Sequence, residues 1–336
     1  MKLRNKFYRK YNLHYLYALC CMVLAIITLA WVAISRILSP YYAIKSYKIP
    51  ISIIVSKNEN NILRIGSFNI AHARGQALGA SNWQYQDKAP LIQHLEDIAT
   101  QIKNAQLDVI VLNEIDFSAS WSFNVNQAYF IAEKAGYPNV VEQRNMDVAI
   151  PFYDFRFGNA LLSRYPVVES KHIRFTPYSK LENVILGNHD GVLSVLQTPL
   201  GQIGVLAVHL DYRSEDIRVQ AAYKIKKLSD GTPMPIIAVG DFNSSPEGFP
   251  GAKTIASGIN ALSYLLNKGG FQVHPSVINE STAYTFPSTH PRQVIDWILE
   301  KGQLKFIDSR VVRSKLSDHF MLTATLIVAD AVRENQ

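Results

Sequence analysis

Asp241 and Asn243 follow a short apolar segment, and their types and spacing suit phosphate chemistry. The segment Ile236–Val239 predicts a buried strand, and Gly240 with the following Ser244-Ser245-Pro246 predicts its end and a loop. Residues two apart in an extended chain lie on one face. There a carboxylate could polarise a water molecule while a carboxamide holds a phosphoryl oxygen. The same pair could instead form an Asx turn that caps the strand.

Glu114, Asn159 and His209 are polar residues in or directly after other predicted strands. Glu114 follows the apolar segment Asp108–Leu112, and a carboxylate at the end of a core strand is a good ligand for a hard cation. Asn159 is an amide within an apolar segment. His209 ends the segment Ile203–Val208, where its imidazole could donate a proton to a leaving group. The plainer alternatives are a surface acid, a strand-edge amide and a structural histidine.

Asp296 lies inside the apolar segment Val294–Leu299, so its carboxylate is predicted to be buried. Buried acids are rare unless a donor is paired with them. The segment Leu316–Phe320, immediately before the last predicted strand Met321–Val328, supplies such a donor in His319. The pattern therefore favours a carboxylate–histidine contact between distant parts of the chain.

A layered arrangement of strands and helices is needed to position these residues. Leu63–Asn69 alternates as a strand with Asn69 at its end, and Pro90–Gln106 has apolar residues at helical spacing. Together with the strand Asp108–Leu112, this order of strand, helix and strand indicates an α/β architecture. The segment Thr198–Gly201 separates two further strands and is typical of a hairpin turn.

Composition places the chain's basic character in its N-terminal part. The 336 residues are enough for one large domain or two small ones. Cys20 and Cys21 are the only cysteines, which excludes a disulfide framework and a cysteine metal site. The net charge is +7, but residues 1–57 hold nine of the 34 Lys and Arg and no acid, so the remaining 25 face 27 acidic residues. The main domain gives no support for a groove that binds long nucleic acids.

Tyr15–Ile34 is an uncharged segment of 20 residues in which only Thr28 is clearly polar. That length is enough to span a bilayer as a helix. Five basic residues precede the segment and Arg36 follows it, so the positive-inside rule predicts a cytoplasmic N-terminus and an exported remainder. One alternative is a cleaved signal peptide, whose apolar core is usually about 7–15 residues and ends in a small-residue cleavage site. The other is a buried helix of a soluble protein.

Taken together, these segments resemble the endonuclease/exonuclease/phosphatase superfamily, which includes pancreatic deoxyribonuclease, abasic-site endonucleases, bacterial sphingomyelinases and inositol-polyphosphate phosphatases. The resemblance covers residues 61–328 and depends on the family's ordered motifs: SFN at 67, NE at 113, GNALLS at 158, VHLD at 208, GDFNSSP at 240, IDWIL at 295 and SDH at 317. It implies an α/β (α+β) fold, a four-layer α/β sandwich of two packed mixed β-sheets with outer helices, here preceded by one transmembrane helix.

The resemblance also implies a metal site and a site for water attack. Glu114 looks like the principal ligand of Mg²⁺, with Asn69 beside it and Asp318 able to contribute, and Mn²⁺ is a plausible substitute. Asp241 resembles the carboxylate that orients or deprotonates the attacking water. Asn243 resembles the amide that binds the phosphoryl oxygen.

Further residues would complete the catalytic and substrate-binding set. His319 would contact the phosphate while Asp296 fixes its tautomer. His209 matches the family's second histidine, near the leaving-group oxygen, and Asn159 matches a substrate-binding amide. No counterpart is assigned to the segment containing His189, which is either a site residue or an ordinary loop histidine.

The function implied is a membrane-anchored, Mg²⁺-dependent phosphoesterase in which water attacks a phosphodiester or phosphomonoester in line. A tether places the site near lipid head groups, which favours a lipid or small phosphoester over DNA or RNA, although a nuclease stays an alternative. A catalytically silent, membrane-tethered binding module is disfavoured because the expected catalytic residues are present. No protein partner can be inferred.

The predicted organisation has five parts. They are a basic cytoplasmic N-terminus (1–14), a transmembrane anchor (15–35), a stem (36–60), a catalytic domain (61–330) and a tail (331–336). The protein is thus expected to cross the inner (cell) membrane once, with its catalytic domain in the periplasm or outside the cell. Two segments, Ile70–Gln76 and Ser118–Tyr129, resemble parts of other bacterial hydrolases of the superfamily.

Overall fold

The computed structural model describes residues 2–38, 44–51, 61–76, 87–150, 152–180, 183, 187–274 and 283–328. Within these ranges the helices are α1 (Lys2–Leu38), α2 (Lys88–Asn104), α3 (Gln127–Ala135), α4 (Glu215–Asp230) and α5 (Ala261–Asn267). The strands are β1 (Ile44–Lys48), β2 (Ile62–Asn69), β3 (Val109–Asp116), β4 (Asn139–Ile150), β5 (Tyr153–Ser163), β6 (Val167–Ile173), β7 (Gly191–Thr198), β8 (Gly201–His209), β9 (Ile236–Asp241), β10 (Asp296–Lys301), β11 (Leu304–Val312) and β12 (Met321–Val328).

The strands form two mixed sheets. One has seven strands in the order β1-β4-β5-β3-β2-β12-β11, and the other has five in the order β10-β9-β8-β7-β6. In the first sheet β2 and β3 are parallel, in the second β8 and β9 are parallel, and the other neighbouring strands are antiparallel. The predicted sandwich of two packed mixed sheets with outer helices is confirmed.

Three apolar clusters account for the four layers. The first lies between the seven-stranded sheet and helices α2 and α3, and the second lies between the five-stranded sheet and helices α4 and α5. The third fills the space between the sheets. A single strand contributes to two clusters because its side chains alternate: Ile236 and Ala238 face the helices, whereas Ile237 and Val239 face the other sheet.

The pattern of apolar residues predicted most of the strands, but β3 ends later than that pattern predicted. Predicted to end at Leu112, this strand continues to Asp116. Its pairing with β5 shifts register between Leu112 and Ile115, and Glu114 has a φ of +50°. An extra residue in one strand of a pair produces such a bulge and re-aims a side chain. Glu114 is therefore presented by a bulge within a strand.

The N-terminal part contains one long helix followed by an edge strand. Leu13–Ser35 in α1 is 23 residues long, has a mean hydropathy of 2.5 and is not buried within the protein, so it is long and apolar enough to cross a membrane. Strand β1 lies within the predicted stem, yet it pairs with β4 at the edge of the seven-stranded sheet. The rest of the stem after residue 51 and the tail 331–336 lie outside the described residues.

Candidate active site

Strand ends of both sheets meet at one edge of the sandwich. In the strand pairings Asn69 lies opposite Asn113, and Asp241 lies opposite both His209 and Asp296. A cavity of about 370 Å³ opens at this edge. It is lined by His72, Glu114, Asn145, Phe157, Gly158, His189, His209, Tyr212, Asp241, Asn243, Phe286, Ile295, Asp318 and His319.

Glu114 projects into this cavity and is supported from below by Asn69. The Nδ2 group of buried Asn69 donates to Oε1 of Glu114 at 3.1 Å and to Oδ2 of Asp241 at 3.2 Å. Partial burial alone would raise the pKa of Glu114, but the neighbouring histidines and the Asn69 amide lower it to about 2. Glu114 is therefore a carboxylate at neutral pH.

His319 and Asp296 form the buried pair that the sequence pattern favoured. Nδ1 of His319 lies 2.8 Å from Oδ2 of Asp296, and Nε2 lies 3.8 Å from Oδ2 of Asp241. Burial alone would lower the pKa of His319, but the charge of Asp296 and its hydrogen bond raise that pKa to about 10. The imidazole is therefore cationic at neutral pH. Potential ligand atoms of Asp241, Asp296 and His319 lie within 4.8 Å of one another. His319 and Asp296 share a hydrogen bond, whereas Asp241 lies at ion-pair distance from His319, and we interpret the three as one charged cluster.

His209 lies on the other side of the cavity, and His189 lies against it. Nε2 of His209 is 3.8 Å from Oδ2 of Asp241 and 3.9 Å from Oε1 of Glu114. The two imidazole rings meet edge to face with centroids 4.7 Å apart. Burial and the neighbouring His189 lower the pKa of His209 to about 3, so it is neutral. His189, left open from the sequence, faces the site.

Asp241 and Asn243 form an Asx turn that also faces the cavity. The backbone N–H of Asn243 donates to Oδ1 of Asp241 at 2.8 Å, which is the capping turn given above as the plainer alternative. The chain does not stay extended here, because Asn243 has a φ of +49°. Burial and the adjacent Asp296 raise the pKa of Asp241 to about 7. Asp241 and Asn243 thus form the local turn and also line the cavity.

Asn113 and Asn159 form a buried layer beneath these residues. Oδ1 of Asn113 accepts from the backbone N–H of Asp241 at 3.0 Å, and its Nδ2 group donates to Oδ1 of Asn159 at 2.7 Å. The Nδ2 group of Asn159 donates to Oε1 of Gln143 at 2.5 Å and to the carbonyl oxygen of Asp190 at 3.1 Å. With both its amide atoms bonded inside the protein, Asn159 is placed to support the site from beneath.

His72 is a cavity residue that the motif analysis did not single out. It lies in a short 3-10 turn, Ala71–Ala73, whose three residues have φ values of +47°, +55° and +59°. Such left-handed runs are sparsely populated and concentrate at functional sites. Nδ1 of His72 lies 2.7 Å from Oδ1 of Asp116, and its Nε2 lies 3.7 Å from Oε2 of Glu114. The turn therefore places the imidazole of His72 beside Glu114, which His209 approaches as well.

Asp116 is fully buried and is held by donors from the following loop and helix. Nε1 of Trp121 donates to Asp116 at 2.8 Å and Nε2 of Gln127 donates to it at 3.3 Å. Gln127 also donates to the backbone carbonyl of His72 at 3.1 Å. The available signal in the sequence was spacing, since His72 follows Asn69 by three residues and Asp116 follows Glu114 by two.

The donor atoms at Glu114 suit a hard divalent cation. Glu114 and Asp318 both line the cavity, and carboxylate oxygens are the ligands that Mg²⁺ and Mn²⁺ prefer. The expected third ligand, Asn69, directs its nitrogen to Glu114, while its Oδ1 accepts from the backbone N–H of Ala71 at 3.0 Å. Glu114 and Asp318 thus offer the oxygen atoms that such a cation prefers, and Asn69 orients Glu114 through its hydrogen bond.

A comparison with known protein families identifies the family of this chain. Residues 66–319 match the family described as Endonuclease/Exonuclease/phosphatase family. The chain belongs to this family. Members of the family are hydrolases that act on phosphate esters. No protein of curated function is detectably similar in sequence.

Several solved structures share the family fold at low identity. An endonuclease/exonuclease/phosphatase from Beutenbergia cavernae DSM 12333 is 19% identical with a TM-score of 0.58, over 80% of this chain and 72% of that one. The human Nocturnin catalytic domain with bound sulfate anion is 17% identical with a TM-score of 0.56, over 86% and 99%. A mannosyl-6-phosphatase from Bacteroides thetaiotaomicron VPI-5482 is 16% identical with a TM-score of 0.55, over 79% and 99%.

Proposed function

We propose that the chain is a membrane-anchored phosphoesterase that uses Mg²⁺ or Mn²⁺ to hydrolyse a lipid head group or another small phosphoester. The observation that carries the proposal is the charge pattern of one cavity. It combines an anionic Glu114, a cationic His319 and a buried Asp241 whose pKa is raised, and Nε2 of both His319 and His209 lies 3.8 Å from Oδ2 of Asp241. Such strongly perturbed groups in a cleft mark catalytic sites.

Asp241 is proposed to take the proton from the attacking water. A general base works best when its pKa is close to the operating pH, and burial and the adjacent Asp296 raise the pKa of Asp241 in that direction. The bond from the backbone N–H of Asn243 fixes the carboxyl group, while the Asn243 side chain lines the same cavity. The Nδ2 group of Asn243 donates one hydrogen to the carbonyl oxygen of Leu210 at 3.0 Å, and its second N–H is proposed to bind a phosphoryl oxygen of the substrate.

His319 is proposed to bind the phosphate and to stabilise the charge that develops during attack. Its Nδ1 atom is held by Asp296, so Nε2 is the atom presented to the cavity. Pre-oriented donors of this kind stabilise charge effectively in a site shielded from water. A divalent cation held by Glu114 and Asp318 would supply Lewis-acid stabilisation of the same phosphoryl group.

His209 is proposed to orient the substrate rather than to protonate the leaving group. Because its pKa is about 3, the imidazole of His209 is neutral at neutral pH and has no acidic proton to give to a leaving group. A neutral imidazole still offers one donor and one acceptor, and its position between Glu114 and Asp241 suits a hydrogen bond to a leaving oxygen.

The test of this function is a hydrolysis panel with a metal titration on the full chain. Substrates are bis-p-nitrophenyl phosphate, phospholipid vesicles, inositol phosphates and supercoiled DNA. Glu114→Gln is expected to keep the fold and lose most activity and magnesium dependence, whereas the exposed Glu133→Gln control should behave as wild type. Identical magnesium curves for Glu114→Gln and wild type would remove Glu114 from the metal site.

Topology is tested separately. With five basic residues before the apolar segment, a reporter fused after Gln336 should be active only when it functions outside the cytoplasm. A reporter that works only in the cytoplasm, or a mature N-terminus after Ser35, contradicts the anchored, exported form.

A further inference from the structure

The end of α1 is fixed against the hairpin formed by β4 and β5. The backbone N–H of Ala149, near the end of β4, donates to Oγ of Ser35 at 2.7 Å. Ser35 is the last residue of the apolar stretch Leu13–Ser35. A helix of 23 residues is about 35 Å long, enough to cross the hydrocarbon core of a bilayer. The membrane boundary would therefore lie beside this hairpin.

The short segment between α1 and β1 also limits how far the end of α1 can lie from the seven-stranded sheet. Five residues separate Leu38, the end of α1, from Ile44, the start of β1. A segment of that length spans at most about 20 Å when fully extended. Ile44 pairs with Gln143, and β4 continues from there to Ile150. The backbone thus keeps the end of α1 within about 20 Å of the start of β1, and the Ser35 hydrogen bond places it beside the far end of β4.

Phe152, in the turn of this hairpin, is fully exposed and has a φ of +68°. A bulky residue with a positive φ is uncommon in folded proteins. The residues before it in the sequence, Ile150 and Pro151, are also apolar. Exposed apolar residues such as Phe, Trp and Leu bury themselves at the boundary between head groups and acyl chains when a segment lies in the membrane interface.

A strip of aromatic rings connects the hairpin to the cavity. The aromatic strip consists of Tyr153, Phe155 and Phe157, alternate residues on one face of β5, together with Trp121. Neighbouring ring centroids are 4.8 Å apart for Tyr153–Phe155, 5.7 Å for Trp121–Phe155 and 5.8 Å for Trp121–Phe157. Phe157 then lies 5.6 Å from the ring of His72, and both line the cavity.

We propose that the hairpin turn at Phe152 lies in the interface of the bilayer that α1 spans, and that the aromatic strip admits the phosphorylated head group of a membrane lipid to the cavity. Phe157 lies five positions after Phe152 in the chain, a distance of about 17 Å in a strand. Each head-group layer of a bilayer is only about 5–7 Å thick, so a head group in the cavity has left the interface. The first part of its acyl chains would then lie along the aromatic strip while the rest stay in the membrane. This inference rests on the proposed phosphoesterase function for its substrate and on α1 for its geometry.

Membrane contact is tested by labelling the full chain in lipid nanodiscs. Cys20→Ser and Cys21→Ser remove the native thiols, and Phe152→Cys carries an environment-sensitive nitrobenzoxadiazole dye. The matched control is Ile307→Cys, because Ile307 is 50% exposed on β11, at the opposite edge of the same sheet. Dye at position 152 is expected to emit at shorter wavelength and to be quenched by doxyl-labelled lipids, whereas dye at 307 should not. Equal quenching at both positions overturns the proposed contact.

Substrate delivery is tested with Phe152→Glu, Phe155→Ala and the control Ile307→Glu. Phe152→Glu should lower kcat/KM on vesicle phospholipid about ten-fold, since it removes the burial of one aromatic side chain. It should leave hydrolysis of soluble bis-p-nitrophenyl phosphate unchanged. Phe155→Ala should raise KM for the lipid without changing dye quenching at position 152. Equal losses on lipid and soluble substrates, or no loss on lipid, overturn the delivery role.

The two assays also separate this inference from the proposed function. If the wild-type chain hydrolyses none of the phosphoesters, the proposed function and the delivery role fail, while the dye measurement still decides whether Phe152 contacts the membrane. If it hydrolyses soluble phosphoesters but no phospholipid, the lipid substrate is overturned and the phosphoesterase function stands.

Discussion

Two histidines of the same cavity differ in charge although their positions are alike. His319 lies just before β12 and His209 ends β8, both are buried, and the Nε2 atom of each lies 3.8 Å from Oδ2 of Asp241. Yet the pKa of His319 is raised to about 10, whereas the pKa of His209 is lowered to about 3. Burial and the shared Asp241 cannot account for this difference.

The difference comes from the neighbour at each ring. His319 has the carboxylate of Asp296 2.8 Å from Nδ1, and that contact outweighs the penalty of burial. His209 has the imidazole of His189 against its ring, which adds to the penalty. One fold thus supplies a fixed cation and a neutral hydrogen-bonding group on opposite sides of one carboxyl group. The four predictions below test that division, from the largest expected effect to the smallest.

Removing the cation should cause the largest loss. His319→Ala is expected to lower kcat by about 10²–10³-fold, because a pre-oriented donor to the developing charge is lost. Asp296→Asn should lower kcat less and move the alkaline limb of the pH–rate profile to lower pH, because the imidazolium loses its partner. Steady-state kinetics across pH measure both effects.

The double variant gives the control for pairing. If the two residues act as a unit, Asp296→Asn combined with His319→Ala should be no worse than His319→Ala alone. Fully additive losses, or a wild-type pH profile for Asp296→Asn, would show that Asp296 is structural and that His319 is charged for another reason.

His72 tests whether a carboxylate partner is important for other histidines of the cavity as well. Asp116 holds Nδ1 of His72 at 2.7 Å, as Asp296 holds Nδ1 of His319. His72→Asn and Asp116→Asn are each expected to lower kcat/KM about ten-fold, a loss of about 1.4 kcal/mol in transition-state binding. A matched control is His290→Asn, on an exposed residue outside the cavity lining. Wild-type kinetics for both cavity variants would assign the pair to folding alone.

Stability should depend on pH in opposite directions for the two histidines. Between the unfolded pKa of about 6.5 and a folded pKa of about 10, the folded state binds the extra proton at His319, so its contribution is lost as pH rises. Between about 6.5 and 3, the unfolded state binds the extra proton at His209, so stability is lost as pH falls.

Denaturant unfolding of the metal-free protein across pH measures this effect. The variant His319→Gln should flatten the alkaline limb of the stability curve, and His209→Gln should flatten the acid limb. The interpretation fails if either variant flattens the limb assigned to the other histidine.

The pairing of His319 with Asp296 could be predicted from the sequence, because a buried carboxylate requires a partner. An acid inside the apolar segment of β10 needs a donor, and a histidine precedes the last strand. The layers could be predicted for a similar reason, since alternation assigns each strand residue to one face. Both inferences use regular periodicity within strands.

The positions of the other site residues depend on irregular backbone conformations and on contacts between distant parts of the chain. His72 is aimed by three successive residues with positive φ, and Glu114 is presented by a bulge, neither of which has a periodic signal. Asn159 has the partners Gln143 and Asp190, which its own segment does not reveal. His189 approaches His209 from a segment without regular secondary structure. Its contact is a property of the folded chain.

His189 provides the smallest and most specific test. Its ring is the second cause of the low pKa of His209, after burial. His189→Asn keeps the site filled and polar but removes the titratable neighbour, so the pKa of His209 should rise by under about one unit and stay well below 6.5. NMR titration of ¹³C-labelled histidines in the metal-free full chain in detergent micelles measures the shift, with His290→Asn as control. A rise to about 6.5 would mean that His189, and not burial, keeps His209 neutral. An unchanged value would mean that burial alone is sufficient, and the contrast with His319 would then depend entirely on Asp296.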